Sequence, residues 1–304
     1  MAIPSSPDLP SRIDAPSAWY GPDMAASSKD WIEHLDAEDL DELSRATGRR
    51  CAIAFFGLGA HLGQPLSQNA KGDLLGHVRD MGLSSSDPNV RIYQTRERQT
   101  FHTDSADIVA LLCLREARAG GLSALVSSTT LYNEIRERRP DLAAALFEPL
   151  ATDRRGEVPA NAKPYFEIPV FNWHAGRLSA IYQRQYIDSA QRFADAPRLS
   201  TKQVEALDLL DALADDPALH FTMRLQPGDM QFVHNHALLH DRTAFVDWPE
   251  PDRRRHLLRL WLAPEAGRPL PDVFAQRYGS VRPGARGGVA SVDGRLRANL
   301  DSVA

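Results

Sequence analysis

The segment Phe101-His102-Thr103-Asp104 sets an imidazole and a carboxylate two residues apart. Residues i and i+2 of a strand face the same way, so His102 and Asp104 would present their side chains together. They are two donors of a two-histidine, one-carboxylate facial set, which leaves three metal positions open and suits iron(II) and oxygen chemistry. Alone, the H-x-D pattern equally describes a solvated pair on a surface strand. A second group lies far along the chain, in Met230-Gln231-Phe232-Val233-His234-Asn235-His236-Ala237-Leu238-Leu239-His240-Asp241-Arg242. If His234, His236 and His240 shared one strand they would share parity, which reads as a three-histidine zinc site of the hydrolase kind. The bland alternative makes His234 and His236 satisfied or pocket-lining residues. His240 itself ends an apolar strand 136 residues after Asp104, and Arg255 follows 15 residues later.

Taken in order, H-T-D, G-D, N-x-x-x-L-H-x-R and R-x-x-x-R resemble the taurine dioxygenase (TauD/TfdA) family, iron(II)- and 2-oxoglutarate-dependent oxygenases on a double-stranded β-helix. HTDSADIVALLCL, Gly120-Gly121-Leu122-Ser123, Asp80-Met81-Gly82, the GLGAHLG turn and the hairpin from Tyr165-Phe166 to Tyr182 extend the likeness over residues 50–280. The resemblance implies that His102, Asp104 and His240 ligate Fe(II). It implies that Ser123 and Arg255 hold the distal carboxylate of 2-oxoglutarate; a planar guanidinium fork fits a carboxylate bidentately, and a hydroxyl adds a donor. Arg259 matches the second arginine, which faces the substrate or the iron-bound end of the co-substrate. Residues 255, 257, 259 and 261 share one strand face, with Arg254 as the alternative to Arg255 because the loop after His240 is longer than in the taurine branch. Arg98, four residues before His102, takes a place that lines the substrate pocket in that branch; it reads either as a contact to an anionic substrate or as a salt-bridged rim residue.

The implied reaction uses O2, releases succinate and CO2, and hydroxylates a small anionic or amino-acid-like substrate, with desaturation or ring closure open to the same scaffold. Two other readings stay open: a zinc-type hydrolase on the histidine cluster, and a non-catalytic barrel that binds a small acid. Two weaker motifs carry less. Gly57-Leu58-Gly59-Ala60-His61-Leu62-Gly63 has GxGxxxG spacing with Pro65 where a helix should start, so it reads as a glycine-rich turn rather than a dinucleotide fingerprint. Gly121-Leu122-Ser123-Ala124-Leu125 lacks the second glycine of a nucleophile elbow.

The elements that must position these residues read mostly as strands: 91–95, 101–104, 107–114, 122–127, 166–173, 178–183, 220–226, 230–234, 237–240 and 255–262, with a further strand-like run at 52–58. Turns fall at His174-Ala175-Gly176 and Pro227-Gly228-Asp229. The run RRRHLLRLWL favours helix on Leu and Arg content, but is read as a strand that tertiary context imposes. Helices are expected near Trp31, Ile32 and Leu35 behind a Ser28 cap, from Asp36 to Gly48, over 69–81, over 128–148 with a break at Pro140, and over 201–214 behind Ser200. Short strands with clustered helices predict a mainly β fold with helical decoration, a jelly-roll, cupin-like core. One domain is expected over 1–304, with residues 1–26 a proline-rich arm and 282–304 a loosely held tail.

Composition narrows the partners. Lys+Arg 35 against Asp+Glu 40 gives net charge −5, so no global basic field exists to hold nucleic acid or an anionic membrane. Two cysteines, Cys51 and Cys113, exclude a disulfide scaffold or a Cys-rich zinc module. The opening MAIPSSPDLPSRIDAPSAW has neither a basic n-region nor an apolar h-region, and no run of 18 apolar residues occurs, which predicts a cytoplasmic protein acting on a small molecule.

Overall fold

The structure is a computed structural model in which residues 9–34 and 49–300 are described. Among them the α-helices are α1 (Gly21–Ala26), α2 (Arg49–Leu62), α3 (Ser128–Arg138), α4 (Pro140–Ala145), α5 (Arg184–Ala190), α6 (Thr201–Ala214) and α7 (Ala275–Tyr278). The strands are β1 (Gln64–Pro65), β2 (Leu75–Val78), β3 (Gln99–His102), β4 (Ile108–Arg115), β5 (Ala119–Gly120), β6 (Ser123–Ser127), β7 (Pro149–Asp153), β8 (Tyr165–Pro169), β9 (Phe171–His174), β10 (Arg177–Ala180), β11 (His220–Met223), β12 (Met230–His234), β13 (Leu238–Arg242), β14 (Phe245–Val246) and β15 (His256–Ala263). No helix among the described residues is long and apolar enough to cross a membrane.

Two antiparallel sheets make the core of a double-stranded β-helix. One runs β1-β15-β4-β12, with β2 also paired to β15; the other runs β11-β6-β13-β3. Strand parity sorts their side chains into outer and inner sets. On β15, Leu258, Leu260 and Leu262 face outward with Ala110 and Leu112 of β4, and α2 covers them through Ala52 and Phe55. The outer face of the second sheet, with Phe101, Ala124, Val126 and Leu239, lies in a core shared with α3, α4 and α6. The inner faces are left to meet each other, and the polar residues collect there. Because β15 is buried on both faces, its sequence lacks the alternation of a half-exposed strand.

Several expectations hold in detail. RRRHLLRLWL becomes β15, α3 and α4 break at Pro140, and Ser200 caps α6 through a complete capping box with Gln203. The hairpin of β9 and β10 turns on Ala175 and Gly176, both at positive φ.

Others are corrected. Residues 52–58 are helical, not a strand, and 57–63 close that helix rather than forming a glycine-rich turn. The buried set Ala52, Phe55 and Gly59 has helical spacing. Gly59 serves close packing: a Cβ there would lie 2.6 Å from Leu260 Cδ1. The expected helix over 69–81 gives way to a turn and β2. Gly72 sits at φ +79°, and Gly76 abuts the Gln68 side chain, so both glycines oppose a helix. The expected strand at 91–95 is a 3-10 turn over Ile92–Gln94. Ser28 opens a 3-10 turn rather than a helix through Trp31, while Leu35 and the helix from Asp36 lie outside the described residues. The strand β7, the helix α5 and the short pairings of β1, β5 and β14 were not expected.

The termini are tied down where they are described. Leu9 is buried, and the arm is held to α3 where Ile13 N–H donates to Asn133 and Thr130 donates to the Trp19 carbonyl. Of the tail expected to be loosely held over 282–304, Arg286 is fully buried, pairs with Asp107 at 2.6 Å and donates to the Arg268 and Val281 carbonyls, with Gly288 and Val289 buried beside it, while residues 292–298 are exposed.

Candidate metal and co-substrate site

The site begins with a register. In the second sheet His240 of β13 is the direct partner of His102 of β3, so the two imidazoles face one another with ring centres 4.1 Å apart. β3 ends at His102, and Asp104 stands just past it, where its carboxylate lies 3.7 Å from His240 Nε2. One donor atom from each of His102, Asp104 and His240 falls within 4.8 Å of the others, the only such group among the described residues. Asn235 fixes the turn that carries Asp104: its side-chain oxygen accepts from Asp104 N–H at 2.9 Å, and its amide donates to the Asp104 and Ala106 carbonyls at 2.7 Å each. The sequence showed Asn235 inside a motif without a role; three backbone groups in need of partners supply it.

The electrostatics suit a divalent metal. His102 Nδ1 lies 2.8 Å from the Thr100 carbonyl, which only accepts, so Nδ1 holds the proton and Nε2 presents its lone pair. The Gln99 amide donates to that lone pair at 2.8 Å. Burial, then His240, push His102 down to about 3, so the ring is neutral, as a metal ligand must be. Burial alone would raise Asp104, but Arg259 and the two imidazoles outweigh it and hold the carboxyl well below its usual range. Asp104 accepts from Arg259 Nη1 at 3.2 Å and from Trp261 Nε1 at 2.8 Å, both carried by β15. His240 Nδ1 is buried without a partner. Two imidazoles and one carboxylate, with His102 and Asp104 oriented by hydrogen bonds from their neighbours, fit iron(II).

A cavity on one side of this group lies between the sheets and is lined by His102, His240, Ser123, Arg242, Arg255 and Arg259 among others. Arg255 is buried, and its Nη1 has no partner. The glycine pair explains its room. Gly121 has φ +70°, and a Cβ there would lie 2.9 Å from Arg255 Nε. Arg254 points outward, exposed, with its guanidinium on the Pro249 carbonyl. Arg242 joins the cavity while donating to the Thr95 and Glu97 carbonyls, and was quoted in the sequence only as part of a motif. Burial pushes Arg255 down to about 10, and burial together with Arg255 pushes Arg242 down to about 9, so the cavity calls for an anion. Ser123 Oγ lies on its wall, 3.3 Å from Gln231 Oε1.

Arg259 was expected to face the substrate or the iron-bound end of the co-substrate, and Arg98 either an anionic substrate or a salt bridge at the rim. Arg259 lines the cavity of Ser123 and Arg255, held by Asp104 and Gln68 and stacked on Tyr93 and Trp261; its Nη2 is buried without a partner. Arg98 is 40% exposed, pairs with Asp241 at 2.8 Å and Asp215 at 2.5 Å, and lines neither cavity beside His102. β13 and β3 shift in register between His240 and Arg242, and Arg98 stands just before β3. The histidine cluster also separates. His234 ends β12 in one sheet, His240 lies on β13 in the other, and the turn between them breaks the parity that a zinc site required. His236 is fully buried on Asp107 at 2.7 Å.

Comparison with known proteins agrees with this geometry. The family model of taurine catabolism dioxygenases (TauD, TfdA family) matches residues 30–261. The chain is 35% identical over 237 residues to FR-33289 synthase of Streptomyces rubellomurinus, covering 75% of this chain and 68% of that protein. It is 32% identical to the taurine hydroxylase-like protein SAT17 of Stachybotrys chartarum, covering 68% of this chain but 55% of that one. Among solved structures, an asparagine oxygenase in complex with Fe(II), 2S,3S-3-hydroxyasparagine and succinate aligns with TM-score 0.53 at 19% identity, over 84% of this chain and 70% of the other. The non-heme iron oxygenase OrfP in complex with Fe and alpha-ketoglutaric acid aligns with TM-score 0.52 at 16% identity, over 70% of this chain and 64% of the other.

Proposed function

This chain belongs to the TauD/TfdA family and is a 2-oxoglutarate-dependent non-heme iron dioxygenase, and on that premise we propose that it hydroxylates a small, anionic or amino-acid-like substrate. The observation that carries the reading is the meeting of His102, Asp104 and His240 at the wall of a buried cationic cavity. In this reading the three residues hold iron(II), and Arg255 with Ser123 holds the distal carboxylate of 2-oxoglutarate. The buried, partnerless Nη1 of Arg255 supports that assignment, because an unpaired buried cation is costly until an anion meets it.

Iron(II), 2-oxoglutarate and O2 together supply the oxidative decarboxylation that yields succinate and CO2 and the oxidising power to remove a substrate hydrogen. The chain does the positioning. Thr100 fixes the tautomer of His102, Arg259 and Trp261 aim Asp104, and the two sheets keep water from the co-substrate. The side chain of Gln99, which lines the cavities on both sides of His102, must turn away when the imidazole takes a metal. The likeness to an asparagine oxygenase accords with an amino-acid-like substrate.

The test is anaerobic titration with Fe(II) and 2-oxoglutarate, followed by admission of O2 with a panel of small acids and amino acids. Stoichiometric iron, saturable 2-oxoglutarate binding and succinate formed in step with a hydroxylated product are expected. Failure to bind 2-oxoglutarate with iron present would defeat the proposal.

A further inference from the structure

A second cavity opens beside His102 and Asp104, and Arg91, Arg154 and Arg277 also line it. None of the three figured in the sequence argument. Arg154 follows β7 and is 6% exposed. Its Nε donates to the Lys163 carbonyl at 3.1 Å and its Nη2 to the Gln276 carbonyl at 2.5 Å, while Nη1 is buried without a partner. Arg277, in α7, donates from Nε to Ser105 Oγ at 2.7 Å. The Phe166 ring lies against both guanidiniums, 5.4 Å from Arg154 and 5.9 Å from Arg277.

Charge counting sets the chemistry of what belongs there. Arg91 is neutralised by Glu157. The two carboxylates on the cavity wall are also committed: Asp104 to Arg259, and Asp153 to Arg192, with Ser189 and the Arg155 N–H as further donors. Among the described residues, no carboxylate pairs with Arg154 or Arg277. Two cations thus line one cavity without an ion-paired carboxylate of their own, and burial together with Arg277 already pushes Arg154 down to about 10. A carboxylate would offset one charge and leave the other. A dianion with three equivalent oxygens matches both charges and gives each planar guanidinium an edge to meet.

We propose that Arg154 and Arg277, with Arg91 beside them, bind a phosphate- or phosphonate-type dianion at one end of the primary substrate, and thereby hold its other end over His102 and Asp104. The inference rests on the oxygenase reading above and narrows its substrate class. It gives the anion-recognising role first sought in Arg98 and Arg259 to residues from the β7 loop and α7.

The experiment uses enzyme loaded with Fe(II) and 2-oxoglutarate under argon. It compares, by calorimetry, four probes that differ only in headgroup: propylphosphonate, ethyl phosphate, propanesulfonate and butyrate. The two dianions should bind, each about tenfold or more tighter than the two monoanions. Arg277→Gln should weaken propylphosphonate binding by on the order of 30-fold or more, the loss expected for one partner of a buried charge pair, and erase the discrimination. The same variant should bind iron and 2-oxoglutarate as the parent does. Arg154→Gln should act alike; since Arg154 also braces two carbonyls, its melting temperature is measured, and Arg277→Gln decides the matter if Arg154→Gln unfolds. Equal binding of butyrate and propylphosphonate, no binding of either dianion, or an Arg277→Gln protein that still discriminates would overturn the inference. Those results with 2-oxoglutarate binding intact would leave the oxygenase reading standing, whereas loss of 2-oxoglutarate binding in the parent would remove both.

Discussion

Arg259 Nη1 donates to Asp104 Oδ2 at 3.2 Å, which joins the strand that follows Arg255 to the carboxylate of the candidate metal site. Arg255, just before β15, lines the cavity beside His102, and Arg259 and Trp261 on β15, four and six residues on, hold the carboxylate. Partners of this kind orient a ligand without touching the metal. Arg259→Ala should therefore lower iron(II) affinity by about 10–100-fold while the protein stays folded. Anaerobic iron titration with a melting curve checks this; parental affinity would make Arg259 irrelevant to Asp104.

Removing a proposed ligand should have a larger effect. His102→Ala and His240→Ala should each abolish succinate formation and sharply weaken iron binding. Metal analysis after dialysis, together with succinate assay, separates the outcomes. A His240→Ala protein with full iron and activity would move the third ligand elsewhere.

At the co-substrate end, Arg255→Ala should cost about 2–5 kcal/mol of 2-oxoglutarate binding, and Ser123→Ala much less. Arg254→Ala should be silent, because that side chain points to solvent. The apparent constant for 2-oxoglutarate in each variant decides. A silent Arg255 beside a sensitive Arg254 would refute the register of β15.

Gly121→Ala tests the same site through the backbone. The new Cβ would lie 2.9 Å from Arg255 Nε at a φ of +70°, which disfavours any side chain. The variant should bind 2-oxoglutarate more weakly with iron binding preserved. Unchanged 2-oxoglutarate affinity would show that Arg255 has room to shift.

Acid stability reports on a pair outside the site, half-buried His77 against buried His256. His77 Nδ1 lies 2.8 Å from His256 Nε2, and burial followed by the His77 charge pushes His256 down to about 3. Arg115, Arg79 and Arg255 press the same way. The unfolded histidine titrates near 6.5, so below that pH the unfolded chain binds a proton that the folded chain refuses. Stability is full above pH 6.5 and falls as pH drops toward 3, by about 1.4 kcal/mol per pH unit. Between pH 7 and 5 the parent should lose roughly 2 kcal/mol more than His256→Phe in urea unfolding. Equal losses would place no such burden on His256.

The order of the chemical residues, and the strands that end in them, are legible in the chain without its fold. H-T-D after an apolar residue, His240 at the close of an apolar run and Arg255 four before Arg259 are local facts, and parity or motif order reads them directly. Residues 52–63 were misread because β-branched and aromatic residues favour strand locally, while the close approach of Gly59 to Leu260 that makes them helical is a contact across 201 residues. Which arginines face the site is settled by long-range contacts. A guanidinium's role depends on whether a carboxylate reaches it first: Asp241 and Asp215 reach Arg98, Asp104 reaches Arg259, and none among the described residues reaches Arg154 or Arg277. Those partners come from distant strands and loops, so the charge balance that assigns each arginine exists only after the two sheets have closed.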